Sequence, residues 1–146
     1  MLRILVLILF SVPAWGHAEE APLEVEGAMT VNVFQAKRLY DLGAVFVDVR
    51  PTREWSWGHI HGAVHLDLHG RFPGLAQGQW PREVPLVIYC DSEVCPSGAA
   101  AAQRAVAWGY KQVFYFREGY FAWQLADFPQ GKSMEGELST LSAQAH

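Results

Sequence analysis

The sequence predicts a single α/β domain with a central, mostly parallel sheet flanked by helices, and three observations carry that expectation. Short runs of bulky apolar residues alternate with amphipathic or alanine-rich stretches, the order expected when strands are joined through helices. The strongest run, "PLVIYC" at residues 85–90, passes through a short loop into the alanine-rich stretch 97–108. Of 146 residues, 51% are hydrophobic and 18% charged, which provides apolar material for one core at a length that suits one domain. No internal repeat is visible.

Residues 1–18, "MLRILVLILFSVPAWGHA", carry Arg3, an apolar run from Ile4 to Val12, then Pro13 and small residues. This is the layout of a secretory signal peptide, with an apolar run about half the length that a membrane span needs. Gly16 and Ala18 favour cleavage before Glu19, and Ala14 and Gly16 offer a second site before His17. Export is therefore expected, to the periplasm if the source is a Gram-negative bacterium. Membrane contact would come only through an uncleaved segment. Removal takes away Arg3 and no acid, so the mature chain is acidic. No basic run or basic–aromatic stripe exists, which argues against a nucleic-acid partner.

The acidic stretch 19–29 has no period and reads as a lead-in to a domain over 30–129. Thr30 can cap a helix over about 32–42, with Phe34, Leu39 and Leu42 on one face. "GAVFVDVR" gives a buried strand at Val45–Val49. Pro51 suits the first turn of a short helix. "GHIHGAVHLDL" reads as a loop leading to a strand at Val64–Leu66. Residues 69–84 hold five Gly or Pro positions and read as a loop with one helical turn near Phe72–Ala76. "PLVIYC" is a strand, 97–108 a helix that Gly109 can stop, "KQVFYF" a strand, and "GYFAWQLADF" a short terminal helix. Residues 130–146 are polar and read as a loose tail.

Both cysteines of the chain, Cys90 and Cys95, lie in "YCDSEVCPSG", between the strongest strand and the alanine-rich helix. Loop amides and a helix N-terminus favour an anion, which lowers a cysteine's pKa and stabilises a thiolate or persulfide. Asp91 and Glu93 oppose this, and the expectation is that inward-pointing amides outweigh them. A bridge across so short a loop would add little loop-closure stability, so stapling of the fold is a weak explanation for the pair.

Three ordered segments together resemble the rhodanese-like domains over roughly Thr30–Phe128. "FVDVRPTREWSWGHIHGAVHLDL" is similar to the family's paired motif segment, "VIYCDSEVCPSGAAAA" falls at its catalytic loop, and "GYKQVFYFREGYFAW" matches its closing strand, glycine turn and tryptophan. The resemblance implies a three-layer α/β fold and a sulfurtransferase that needs no metal or organic cofactor. Cys90 would accept a sulfane sulfur as a persulfide and pass it to a thiol acceptor, with a partner thiol protein as one option. Asp48, Arg50, Glu54 and His59 match motif positions that brace the loop and sheet. Asp91, Ser92, Glu93, Val94, Pro96 and Ser97 would surround the substrate.

The loop also departs from the family. It is one residue longer than the common form, a length that resembles the dual-specificity phosphatase branch. Pro96 stands where that branch needs an arginine, and no loop residue is basic, which argues against a phosphate dianion. A low-charge persulfide, polysulfide or protein thiol suits the site better than thiosulfate. Arg117, at the end of the last strand, is the candidate for the missing cation. Glu118 replaces one glycine of the family's pair and leaves Gly119. Cys95 either resolves a Cys90 persulfide to a disulfide or cycles with Cys90 as a thiol redox pair. A non-catalytic binding module, with Trp55 and Trp57 bordering a pocket, is the remaining alternative. His59, His61, His65 and His69 lack a recognised metal-ligand spacing, and no metal site is expected.

Overall fold

Leu86, Val87, Ile88 and Tyr89 are each fully buried, and a strand buried on both faces belongs in the middle of a parallel sheet. The computed structural model describes residues 20–78 and 80–132 and places this strand there. In chain order the elements are β1 (Met29–Thr30), α1 (Val33–Asp41), β2 (Val45–Asp48), α2 (Thr52–Trp57), β3 (His59–Ile60), β4 (Val64–His65), a 3-10 helix (Phe72–Gln77), β5 (Leu86–Tyr89), α3 (Ser97–Ala107), β6 (Val113–Phe116), α4 (Gly119–Leu125) and β7 (Gln130–Gly131). The main sheet has the order β1-β6-β5-β2-β4, and every pair in it is parallel. A second, two-stranded sheet pairs β3 with β7 antiparallel.

The pleat divides the core into two. Val47, Leu86, Ile88, Val113 and Tyr115 face α3 and the 3-10 helix, where Ala101, Ala102 and Ala105 let the helix approach closely. Phe46, Val87, Tyr89 and Phe116 face the other way, onto Val33 and Ala36 of α1 and Tyr120 and Trp123 of α4. Helices cover both faces, so the three-layer α/β fold is present. Cys90 continues the Ile88 face beyond the carboxyl end of β5, the side of a parallel sheet where ligands bind.

The local departures from the sequence reading have physical causes. Asn32, not Thr30, caps α1, because its side chain and that of Gln35 form a reciprocal capping box. Thr30 instead sits in β1, an edge strand beside β6, so the lead-in is not structureless. The face of α1 that packs is Val33–Ala36 with Leu39 and Tyr40. Phe34 and Leu42 are exposed, because the stripe that packs runs through Val33, Ala36 and Tyr40 at helical spacing and leaves both of them to one side of it. The loop expected at 58–63 contains β3, whose partner β7 comes from the first residues of the expected tail. The signal segment at 1–18 and the remainder of the tail from 133 lie outside the described residues. No helix among the described residues is long and apolar enough to cross a membrane.

Candidate active site

Three elements converge on the end of β5. The chain leaves the strand at Cys90, runs through Asp91–Cys95, and enters α3 at Ser97. The Cys95 amide donates to the Ser92 carbonyl at 3.1 Å, a turn that folds the loop back on itself. This brings the Cα atoms of Cys90 and Cys95 to 6.1 Å, and the two sulfurs are bonded as a disulfide. The spacing lies inside the range that a disulfide spans without backbone movement.

The N-terminus of α4 grips the loop from beneath. The Tyr120 amide donates to the Cys90 carbonyl at 3.0 Å and the Phe121 amide to the Asp91 carbonyl at 2.8 Å. Gly119 makes this approach possible. Its φ is +69°, and a Cβ there would lie 2.6 Å from the Cys90 oxygen and 2.9 Å from the Asp91 oxygen. Gly98, in the first turn of α3, also lies against Cys90 but less tightly, since a Cβ there would sit 3.4 Å from the Cys90 nitrogen. The first-turn amides of α3 have no intrahelical acceptor, as in any helix, and Pro96 supplies no side-chain cap for them.

Two arginines lie near the loop, and both are committed elsewhere. Arg50 is buried with Asp48. Its Nε and Nη2 donate to the Asp48 carboxylate at 3.0 and 2.7 Å, and Nη2 also donates to the Gly58 carbonyl at 2.7 Å. Burial alone would lower the Arg50 pKa, but the hydrogen bond and charge of Asp48 outweigh it and raise the value. The guanidinium covers the Tyr120 ring at 4.6 Å, tying β2 to the helix that holds the loop. Arg117 donates from Nε and Nη2 to the Ala21 carbonyl at 3.1 and 3.0 Å and lies 3.6 Å from Glu93. The Ala21 amide in turn donates to the Glu93 carbonyl at 2.7 Å. The lead-in therefore lies across the outer half of the loop as a strap with Arg117 as its fastening. The candidate cation braces the loop instead of facing a substrate. The strap, with buried Ala21 and Val25, was invisible in an aperiodic acidic stretch.

His59 stacks on Trp55 with ring centroids 3.4 Å apart, and its Nδ1–H donates to the Trp55 carbonyl at 3.0 Å. Burial is the main cause that lowers its pKa. His65 stacks on the same ring and donates from Nε2 to the Arg50 carbonyl at 2.7 Å. These histidines therefore organise α2 and β4. Glu118 accepts from the Val33 amide at 3.3 Å, so it points to the start of α1, where the helix dipole favours it. Trp55 lines a separate cavity with His65 and Asp67.

A cleft of about 550 Å³ opens beside the loop, lined by Arg50, Glu54, Trp57, Asp91, Ser92 and Tyr120 among others. Ser92 donates its hydroxyl proton to the Asp91 carboxylate at 3.1 Å. Asp91 and Ser92 thus border the cleft, while Glu93 is held by the strap, Val94 is exposed and Pro96 and Ser97 start α3. The expected ring of amides around the Cys90 sulfur is absent from this bridged form. Among the described residues no N–H donates to that sulfur, which bonds to Cys95 and packs in the α3-side core. Sequence reasoning also missed Tyr120 and Phe121, whose main-chain contacts leave no side-chain signature.

The model of the rhodanese-like domain matches residues 33–126. A protein named thiosulfate sulfurtransferase GlpE from Ectopseudomonas mendocina is 30% identical over 103 residues, spanning 70% of this chain and 90% of that relative. The protein of the same name from Pseudomonas savastanoi pv. phaseolicola is 34% identical over 95 residues, spanning 65% and 85%. Among solved structures, the rhodanese-like domain of the Anabaena sp. Alr3790 protein superposes with a TM-score of 0.62 at 18% identity, covering 73% of this chain and 80% of that one. The polysulfide-sulfur transferase of Wolinella succinogenes superposes with a TM-score of 0.61 at 20% identity, with the same coverage. The two structural likenesses speak for the fold.

Proposed function

The chain belongs to the rhodanese-like domain family, and on that premise we propose that it is a sulfurtransferase in which Cys90 carries the sulfur and Cys95 closes the cycle. The observation that carries this reading is the Cys90–Cys95 pair at the end of the central strand, with Cα atoms 6.1 Å apart. The relatives' shared name, thiosulfate sulfurtransferase, supports transfer of sulfane sulfur as the reaction class.

In the loading step the Cys90 thiolate attacks the terminal sulfur of a persulfide donor RS–SH. It forms Cys90–SSH and releases RS⁻. An acceptor thiolate then takes the outer sulfur and leaves Cys90 as thiolate. Alternatively the Cys95 thiolate attacks the Cys90 sulfur itself, releases HS⁻ and leaves the disulfide. Two thiols of a partner then reduce the bridge and become a disulfide themselves.

The donor is expected to carry little negative charge. No loop residue is basic, Arg50 is held by Asp48, and Arg117 is held by Ala21 and Glu93. A thiosulfate dianion would meet Asp91 without a free guanidinium to bind it. The chain acts after export, which suits a thiol pair that persists as a disulfide.

Incubation of the reduced protein with a persulfide donor tests the reading. Cys90→Ser should abolish sulfur loading, and Cys95→Ser should keep loading while prolonging the persulfide. Loading that survives Cys90→Ser would remove Cys90 from the mechanism. A second reading, dithiol–disulfide exchange with a partner protein, is favoured by the bridge and by the lack of donors to the Cys90 sulfur among the described residues. It predicts a reversible dithiol potential with little sulfur transfer.

A further inference from the structure

The two sulfurs of the bridge differ in what surrounds them. Cys90 is 5% exposed and belongs to the core against α3, while Cys95 is half-buried at the margin of that core. Val94, immediately before Cys95, is 55% exposed. Thiol–disulfide exchange needs a thiolate to reach the sulfur that it attacks, and access is one determinant of which sulfur that is. The attacker also lines up with the bond it breaks. For attack at Cys90 it would have to displace packed apolar side chains, whereas Cys95 is only partly covered and sits beside exposed Val94.

The second observation concerns charge. One carboxylate oxygen of Asp91 and the two sulfurs all lie within 4.8 Å of one another. Glu54 lines the adjoining cleft with Asp91, and the arginine of that lining, Arg50, is already neutralised by buried Asp48. A thiol that brings a further negative group is repelled there, and one that brings a positive group is attracted.

We infer that the Cys90–Cys95 bridge is opened at the Cys95 sulfur, by a thiol whose own surroundings are cationic or neutral. The incoming thiolate bonds to the Cys95 sulfur. The bond between the cysteines breaks, and its electron pair leaves on Cys90 as a thiolate. A second thiolate attacks the mixed disulfide on the incoming group's sulfur and frees Cys95. Two thiols have become one disulfide, and the loop is a dithiol. Opening in this order delivers the free thiolate to Cys90, the residue that must next accept sulfur, so the inference rests on the sulfurtransferase reading and adds the direction of recharging.

The experiment uses the bridged protein with cysteamine as a cationic probe and 2-mercaptoethanesulfonate as an anionic one. Reactions are stopped in acid at successive short times, free thiols are alkylated, and the peptides are mapped by mass. Extrapolated to zero time, the probe should be on Cys95 and the alkyl group on Cys90; the reverse assignment overturns the inference. Asp91→Asn should accelerate the anionic probe at least about three-fold more than the cationic one at low salt. Equal acceleration of both removes the charge preference. A bridge that neither probe opens would sink the reactive pair itself, whereas opening at Cys90 sinks only the order proposed here.

Discussion

Gly119 shows how much of the site depends on one missing side chain. Its positive φ and the 2.6 Å that a Cβ would leave to the Cys90 carbonyl mean that Gly119→Ala both strains the backbone and pushes the loop away. A destabilisation of at least about 2 kcal/mol is expected, read as a fall in the urea midpoint, together with slower sulfur loading. A variant as stable and active as the parent would show that the loop tolerates a wider gap. The buried pair at Asp48 and Arg50 behaves differently. Asp48→Asn keeps the shape but leaves a buried guanidinium without its counter-charge, with an expected cost of about 3 kcal/mol in the same titration. The "FVDVR" segment marked both residues as bracing positions through the family resemblance, but that they pair with each other came from the structure. The glycine was legible only as half of a family doublet, because close backbone approach leaves no pattern of its own.

The central elements were readable for a simple reason. β5 is buried on both faces and α3 is built from alanines, so local composition and tertiary environment agree. Elements at the periphery were harder, because two-residue strands such as β1, β3 and β7 owe their existence to partners far away in the chain. The strap is the clearest case. Nothing in "EEAPLEVEGAM" announces that the Ala21 amide meets Glu93 or that Tyr115 donates its hydroxyl proton to the Pro22 carbonyl at 3.0 Å. Arg117→Met removes two hydrogen bonds to Ala21 and leaves that carbonyl to water. It should cost about 1–2 kcal/mol, the ion pairs to exposed Glu20 and Glu93 adding little. Amide exchange should accelerate at Ala21 while β5 keeps its protection. Unchanged exchange at Ala21 would mean that the strap is held by its apolar contacts alone.

For the molecule as a whole, the fold and the disulfide are nearly independent. The cysteines are separated by 5 positions, so the bridge closes a very short loop and contributes about 2 kcal/mol on the chain-entropy model. The reduced protein should therefore remain folded, with an unchanged far-ultraviolet circular dichroism spectrum, as an active pair that opens and closes requires. Acid acts on the fold through a buried histidine. His59 has its pKa lowered from 6.5 by burial, so below that value the unfolded chain takes up a proton that the folded chain resists. Stability should fall as the pH drops through 6.5, and His59→Gln should flatten that part of the profile. The central claim is that residue 90 accepts sulfur and residue 95 turns it into a bridge. It is tested most directly by intact and peptide-resolved mass of the reduced protein and its Cys95→Ser variant after exposure to a persulfide donor. The expected result is a stable extra sulfur on Cys90 in the variant, and in the parent a return to the disulfide mass with release of sulfide. No added sulfur on Cys90 in the variant, with the parent still a dithiol and no sulfide released, would contradict it.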